Sequence, residues 1–556
     1  MKRIITIFVI AIASMSVHAQ QQQQTKNLSM LAKVWGFLKY YHPAAAKGTP
    51  DWDKELIRMI PLARQAPSDD DFYQLLTNWY LSLPPAAVAK TIMQPKNDSI
   101  ARVFDEQDIA SFGLPKVMLD EMMKLYLYHL PDSSKYISDH YKEYHLDYIR
   151  HMEEPFNQPS FPDEEHRLLA LFRYWNVIEY FYPYKKINAA NWSDVLPQFI
   201  PKFIATADSN DYRKTFLTLT AQLKDSHSFF SQTIWNRQHN RMAMPFDVTY
   251  IDGKYYIGST SYDSVMRSLG FQIGDEIVGI NNQIIAERVN DLRPLTTGTN
   301  ELSFYRNIAF TLFRIDTNRT MRVSIRRNGQ LIEKTVRMFT GRELSAMKKD
   351  ALPLWQNMGN NIWLVRFCNV PATDTLRKLF TDLQAAKMVI WDMRGYPEFP
   401  VVQAMGPGVY PGPFSSTISY NDILAYPGAM TRRVAESYAT AASSPLPLYK
   451  GPMIVLVDER TQSLSESVAY ELSFRPNTIV MGRQTAGTTG NITWVEYPGG
   501  IAASFTGVGV EGLNGRFKEG VGVKIDAAIQ LSEKNLLAYP DYMLEMAYRE
   551  AMKKIK

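Results

Sequence analysis

Hydrophobic and polar positions along this chain fall into three successive textures. In the first, apolar residues recur at helical spacing, beginning with Leu31, Val34, Trp35, Leu38 and Tyr41. From Pro245 onward short alternating runs predict strands. Residues 247–259 read as a hairpin around Asp252-Gly253, and further strands follow over 321–326 and 333–337. In the third texture, strand-length apolar runs at 362–367 and 388–391 flank a helical pattern at 376–383, an alternation that predicts βαβ units and a mainly parallel sheet. The unbroken apolar run 453–457 there predicts a strand buried on both faces. A polar turn over 458–462 leads into Ser463-Leu464-Ser465-Glu466, which opens a helix carrying Val468, Ala469 and Leu472. A second apolar run, 479–481, precedes Thr485-Ala486-Gly487-Thr488-Thr489-Gly490. The turn before Ser463 lies at the carboxyl edge of a strand, where open α/β sheets place ligands, and helix N–H groups there favour negative charge. Residues 542–552 predict a closing helix, with Lys553, Lys554 and Lys556 at its C-terminal end.

The helical texture is written twice. Trp35-Gly36-Phe37-Leu38-Lys39-Tyr40-Tyr41-His42-Pro43 aligns with Trp175-Asn176-Val177-Ile178-Glu179-Tyr180-Phe181-Tyr182-Pro183. At the same offset Trp52 pairs with Trp192, Leu56 with Leu196, Ile60 with Ile200 and Pro61 with Pro201. So many ungapped matches indicate a duplicated helical unit. Its aromatics read better as packing groups of a scaffold than as a substrate groove. Residues 84–96 form a loop between the copies and 153–162 a linker. The expected division is a leader over 1–19, helical domains over 20–155 and 156–240, a β domain over 241–340, an α/β core over 341–535 and a C-terminal helix over 536–556.

With 556 residues the chain is too long for one ordinary domain. Met1-Lys2-Arg3, the apolar run 4–13 and Val17-His18-Ala19 form the pattern of a cleavable leader cut after Ala19. The apolar run is too short for a stable membrane span, so a periplasmic or secreted protein is expected, with Gln20 to Gln24 as a disordered stub. The formal charge of +5 falls to +3 once Lys2 and Arg3 are removed, and no basic tract carries interleaved aromatics, which argues against nucleic acid as a partner. Cys368 is the single cysteine and reads as a buried, inert thiol. His140 and His145 do not share a helix face, and with His151 they lack a carboxylate–histidine motif, so neither metal nor cofactor is expected. Beyond the leader no histidine falls in the α/β core, so a base for a core serine must come from upstream. His227, within Asp225-Ser226-His227-Ser228, is available just before the β domain, although a lone histidine at such a junction is more often structural.

Two resemblances sharpen this reading. The run Ser268-Leu269-Gly270-Phe271-Gln272-Ile273-Gly274-Asp275-Glu276-Ile277-Val278-Gly279-Ile280-Asn281-Asn282 resembles the PDZ segment in which a Gly-Asp turn enters an apolar strand. Such a module binds peptide ends by adding them as a strand, and the alternative is a spacer. Over residues 160–535 the chain resembles the serine peptidase family of the C-terminal processing (tail-specific) peptidases and the tricorn core protease. That resemblance implies a multidomain α+β fold with a helical region, a PDZ-like module and a crotonase/ClpP-like α/β peptidase core.

It also implies roles. The processing branch shows Ser-Ala-Ser-Glu where this chain has Ser463-Leu464-Ser465-Glu466, which makes Ser463 the nucleophile and Ser465 its local competitor. The lysine base of that branch falls on Thr488, and no lysine occurs between Ser463 and Lys518. The tricorn branch instead pairs serine with histidine and a glutamate, matched by Ser226-His227 and by Glu519 in Glu519-Gly520-Val521-Gly522-Val523-Lys524-Ile525-Asp526. Asp225 fits the wider family's Asp-Gly-His-Thr-like motif. The implied site is Ser463 as nucleophile, His227 as general base and acid, and Ser226 with Glu519 orienting it. The backbone N–H groups of Leu464 and Tyr396 would be the oxyanion donors. At the second of these, Tyr396-Pro397-Glu398-Phe399 replaces the glycine-ending family turn. The expectation is an exported serine peptidase acting through an acyl-enzyme on a peptide or protein, bound by its C-terminal end at the PDZ-like domain. The alternative is a peptide-binding protein of the same fold whose catalysis is impaired at the altered turn.

Overall fold

The computed structural model describes residues 2–130, 134–138, 150–154, 156, 159–189, 191–232, 242–313, 319–347, 349–350, 352–371, 373–437 and 446–555. His140 and His145 lie outside them.

The first helix, Lys2–Tyr41, runs unbroken through Ala19 and the glutamine run, so residues 20–24 are helical and not a disordered stub. Glutamine is a good helix former, and Gln23 is tied by Nε2 donating to Asn27 Oδ1 at 3.0 Å and to Asp69 Oδ1 at 2.8 Å. The counterpart helix is Glu164–Phe181, and each copy adds a second helix, Trp52–Gln65 or Val195–Ala205. In the first copy Trp35 and Trp52 each donate the indole N–H to the other's carbonyl at 2.9 Å. Trp175 and Trp192 repeat the exchange at 2.9 and 3.0 Å. The repeated tryptophans therefore fill the interior with their rings while satisfying their one polar atom.

Equivalent positions of the two copies meet. A Cβ on Gly36 would lie 1.7 Å from Oδ1 of Asn176, so only glycine lets the long helices approach this closely. Asn176 Nδ2 donates to Ala32 O at 3.0 Å across that contact. Both copies contribute to a single hydrophobic core that also takes in Val495, Tyr497, Ile501 and Phe505. The expected boundary between two helical domains thus runs through one packed body. The linker is anchored inside it: Glu153 pairs with Lys39 at 2.7 Å and Arg173 at 3.2 Å, and Arg173 pairs with Asp53 at 2.8 Å. All four side chains are buried, and each charge meets an opposite one, the condition under which buried ions are tolerated.

The hairpin Asp247–Ile251 with Lys254–Ser259 turns at Asp252 and Gly253, both at positive φ, as a two-residue hairpin turn requires. It joins Glu276–Ile280, Thr320–Arg327 and Gln330–Arg337 in one sheet whose edge strand, Asp247–Ile251, lies beside helix Glu301–Leu312. In the third region Ile362–Arg366, Met388–Asp392, Met453–Val457 and Thr478–Gly482 are parallel neighbours in that order. Helix Leu464–Leu472 joins the last two strands, the βαβ unit that the apolar runs predict. One face of the sheet packs Val389, Trp391 and Val455 against Val468 and Ala469 of that helix. The other packs Ile390, Ile454 and Leu456 against Met543, Ala547 and Ala551 of the closing helix, Tyr542–Lys554.

A three-stranded sheet completes the arrangement. Ile492–Tyr497 and Ile501–Thr506 form a hairpin, and Phe230–Gln232 pairs with its second strand, Phe230 opposite Ala503. Its inner face, with Val495, Tyr497, Ala503 and Phe505, closes the helical core. Among the described residues no helix is long and apolar enough to cross a membrane.

Gly36→Ala is expected to lower stability by about 2 kcal/mol through overpacking, measured as a fall in the thermal unfolding midpoint. Asn176→Ala in the same chain should return part of that loss.

Candidate active site

Ser463 stands where strand Met453–Val457 gives way to helix Leu464–Leu472, with φ at 58° and ψ at −122°. A non-glycine residue in such a conformation costs on the order of 1–3 kcal/mol and persists only when its surroundings impose it. Three ties impose it here. Ser463 N donates to Thr488 O at 2.9 Å. Glu466 receives the N–H groups of Gly487 and Thr488 at 2.8 and 2.9 Å, together with the Thr485 hydroxyl. Ser465 Oγ donates to Met393 O at 2.8 Å. Burial pushes the Glu466 carboxyl up to about 7 in spite of these donors. The two serines are thereby separated in role. Ser465 is fully buried and occupied as a tie, whereas Ser463 is half-buried and its side chain makes no capping bond.

Leu464 is the first helical residue, and its N–H has no acceptor within the helix. The turn after Asp392 is fastened to this same helix start. Met393 O accepts from Thr461 Oγ1 at 2.9 Å, from Ser465 Oγ at 2.8 Å and from Gly395 N at 2.9 Å. Tyr396 follows with its side chain exposed, and Glu398 is also exposed, at the N-terminus of helix Phe399–Val409. Cys368 sits behind this turn, its Sγ 4.0 Å from Ser465 Oγ, and burial pushes its thiol up to about 12.

His227 arrives from the other side. It precedes strand Phe230–Gln232, whose pairing with Ile501–Thr506 carries the Asp225-Ser226-His227 loop to the core. Ser504 Oγ donates to His227 O at 2.7 Å, and His227 N donates to Asp225 Oδ1 at 2.8 Å. The ring nitrogen Nδ1 lies 2.9 Å from Thr506 Oγ1. Burial holds the imidazole pKa below its usual 6.5, with Asp225 opposing and Arg306 reinforcing that shift. The ring is therefore neutral at neutral pH.

Several bonds join the two halves. Gln462 Nε2, beside Ser463, donates to Ser226 O at 3.1 Å, and Arg306 donates to Gln462 Oε1 and to Glu459 O, each at 2.6 Å. Asn300, at the start of the same helix as Arg306, donates Nδ2 to Thr485 O at 2.8 Å. Thr488 Oγ1 lies 3.4 Å from Asp225 Oδ1, so the turn that fixes Ser463 also reaches the histidine loop.

The other two expected members stand differently. Ser226 Oγ is engaged by Thr299 N and Oγ1, both at 3.0 Å. Glu519 Oε1 accepts from Asn188 Nδ2 at 3.1 Å, and the next residue anchors the turn by Gly520 N donating to Gly487 O at 2.8 Å. Burial first, then the neighbouring carboxylates Asp225 and Glu466, raise the Glu519 pKa well above the usual range. Among the described contacts, His227 Nδ1 meets Thr506, whereas the orienting role was expected of Ser226 with Glu519. Nothing local in the sequence marks Thr506, because its proximity to His227 arises from a strand pairing far along the chain. Asp225 was legible as part of the histidine motif.

Residues 415–529 match peptidase family S41, and residues 240–340 match the PDZ domain. The chain thus carries a peptidase family S41 domain behind a PDZ domain. It is a serine-type peptidase, a hydrolase, with a PDZ domain ahead of its catalytic core. No curated protein in the comparison matches the chain. Among solved structures, mature CPAF complexed with lactacystin is 12% identical, with a TM-score of 0.55 over 70% of this chain and 98% of that one. Mature CPAF is 13% identical, with a TM-score of 0.53 over 69% and 96%. A photosystem II D1 C-terminal processing protease is 16% identical, with a TM-score of 0.42 over 66% and 93%. The CPAF likeness is one of fold, and it reaches well beyond residues 415–529.

If the backbone at Ser463 is strained in this S41 peptidase, Ser463→Gly should release about 1–2 kcal/mol. Thermal unfolding should then place Ser463→Gly above both the wild type and Ser463→Ala. Equal midpoints for the glycine and alanine variants would show that no strain is stored there.

Proposed function

We propose that this S41 peptidase is exported and hydrolyses peptide bonds through an acyl-enzyme formed on Ser463, with His227 as general base and then general acid. The observation that carries the reading is the conjunction at Ser463. A half-buried serine is held at positive φ on a strand-to-helix turn, the geometry of a nucleophile elbow, and it stands beside the loop of a buried, neutral histidine.

In the first step the Ser463 Oγ–H proton passes to His227 Nε2 as Oγ bonds to the scissile carbonyl carbon. The proton then goes to the departing amine nitrogen as the C–N bond breaks, leaving the acyl-enzyme. Water repeats the sequence: its proton goes to Nε2, its oxygen bonds to the acyl carbon, and Ser463 regains a proton as it leaves. Negative charge on the tetrahedral oxygen is placed near the free N–H of Leu464, with the turn at Tyr396 as the second donor. The absence of lysine between Ser463 and Lys518 supports a histidine base over a lysine one.

A peptide or protein substrate has a second surface to engage. Val248 on the PDZ edge strand and Ala309, Phe310 and Phe313 line a cavity of ≈ 290 Å³, which suits a substrate chain end added as an extra strand. Export rests on the leader pattern over residues 1–19 and predicts a mature N-terminus at Gln20.

A fluorophosphonate probe should label the wild type covalently and leave Ser463→Ala unlabelled. Because burial holds His227 below its usual 6.5, the labelling rate should already be full at pH 7 and should decline only as the pH falls through the depressed value. A correctly folded wild type that takes no label would support the peptide-binding alternative.

A further inference from the structure

Nδ1 of His227 has a partner the family resemblance does not anticipate, Thr506 Oγ1 at 2.9 Å. Resting on the Ser463–His227 reading above, we propose that Asp225, acting through the Thr506 hydroxyl, is the carboxylate that orients His227, in the place the resemblance assigns to Glu519.

The Thr506 hydroxyl lies against Asp225 Oδ1, His227 Nδ1 and, at 3.4 Å, Thr488 Oγ1, which itself donates to Asp225. Thr506 has a single hydroxyl proton, and Oγ1 donates it to Asp225 Oδ1 at 3.0 Å. Only lone pairs remain on that oxygen, so the 2.9 Å contact with His227 Nδ1 is made by an Nδ1–H donating to Thr506. The neutral ring then carries no proton on Nε2, the state a general base needs. Asp225 is an acceptor on both oxygens, receiving His227 N at 2.8 Å on Oδ1 and Thr506 N at 2.8 Å on Oδ2. One carboxylate therefore fixes the histidine loop, the opposing strand and the hydroxyl between them. Asp225 and Thr506 are fully buried and His227 is 2% exposed, so water does not compete for these bonds.

Charge follows the same route. When Nε2 takes the serine proton, the positive imidazolium lies one hydroxyl away from Asp225. The Glu519 carboxyl bonds Asn188 instead, and burial with two neighbouring carboxylates raises its pKa well above the usual range, which disfavours a charge there. Asp225 and Thr506 are thus positioning residues that act through His227, and the orienting carboxylate comes from the histidine's own loop.

Nitrogen-15 histidine spectra of the full chain, with His227 identified by its loss in His227→Ala, report the tautomer directly. The wild type and Glu519→Gln should show the proton on Nδ1, and Thr506→Val should shift it toward Nε2. Fluorophosphonate labelling should slow on the order of 10²-fold in Thr506→Val and in Asp225→Asn, the scale of a mis-set general base. Thr506→Ser, which keeps the hydroxyl, should recover most of the rate. Thermal unfolding of each variant separates lost orientation from lost folding. An Nε2–H tautomer in the wild type, or a Thr506→Val that labels at the wild-type rate while Glu519→Gln loses the Nδ1–H signal, would overturn the assignment. If the wild type takes no label at all, the nucleophile reading fails, and the spectra still decide which group holds the ring.

Discussion

The pairing of strand Phe230–Gln232 with Ile501–Thr506 carries a histidine loop from the end of the helical region into the peptidase core, and the candidate site depends on it. The pairing is short, so its stability comes from the two faces of the sheet it completes. One face is apolar and buried in the helical core through Ala503 and Phe505. The other presents Ser504 and Thr506, whose hydroxyls hold the carbonyl and ring of His227. The alternation of side chains along one strand thus does two jobs: odd positions pack into the helical core and even positions hold His227.

Ser463 is held by the opposite kind of device. No sheet pairing forces its backbone into the positive-φ region. A set of polar ties around it does so, with Glu466 gripping the glycine-rich turn, Thr488 O accepting Ser463 N, and Ser465 locked to Met393. Each tie is buried, where an unsatisfied group would be costly, and the network is therefore stiff. The PDZ domain joins in through Arg306 and Asn300, so the geometry of the Ser463 turn depends on that domain as well.

The duplicated helical unit supplies the platform. Its reciprocal indole bonds, the Gly36–Asn176 contact and the buried Lys39, Asp53, Glu153 and Arg173 cluster make one rigid body from two copies. Asn188 extends from that body to Glu519, so the scaffold touches the site as well as supporting it.

The elements and the residue types at the candidate site are legible in the amino-acid pattern alone. Short apolar runs bounded by polar turns read as buried strands, and those at 453–457 and 479–481 are parallel neighbours flanking the Ser463 helix. The ungapped tryptophan repeat is legible because each indole must find a partner, and the duplication supplies the same partner twice. The Asp225-Ser226-His227 motif and the missing lysine pointed to a histidine base from upstream. Only the tertiary structure decided what that histidine touches. Thr506 lies far from His227 along the chain, and a threonine in an alternating strand carries no local sign of a role at a site. Its place was set by strand register, which is fixed by burial on the opposite face. The same limit explains Ser226 and Glu519. Their types and spacing fitted an orienting role, but the direction of a side chain follows from what packs around it, and Thr299 and Asn188 had claimed them.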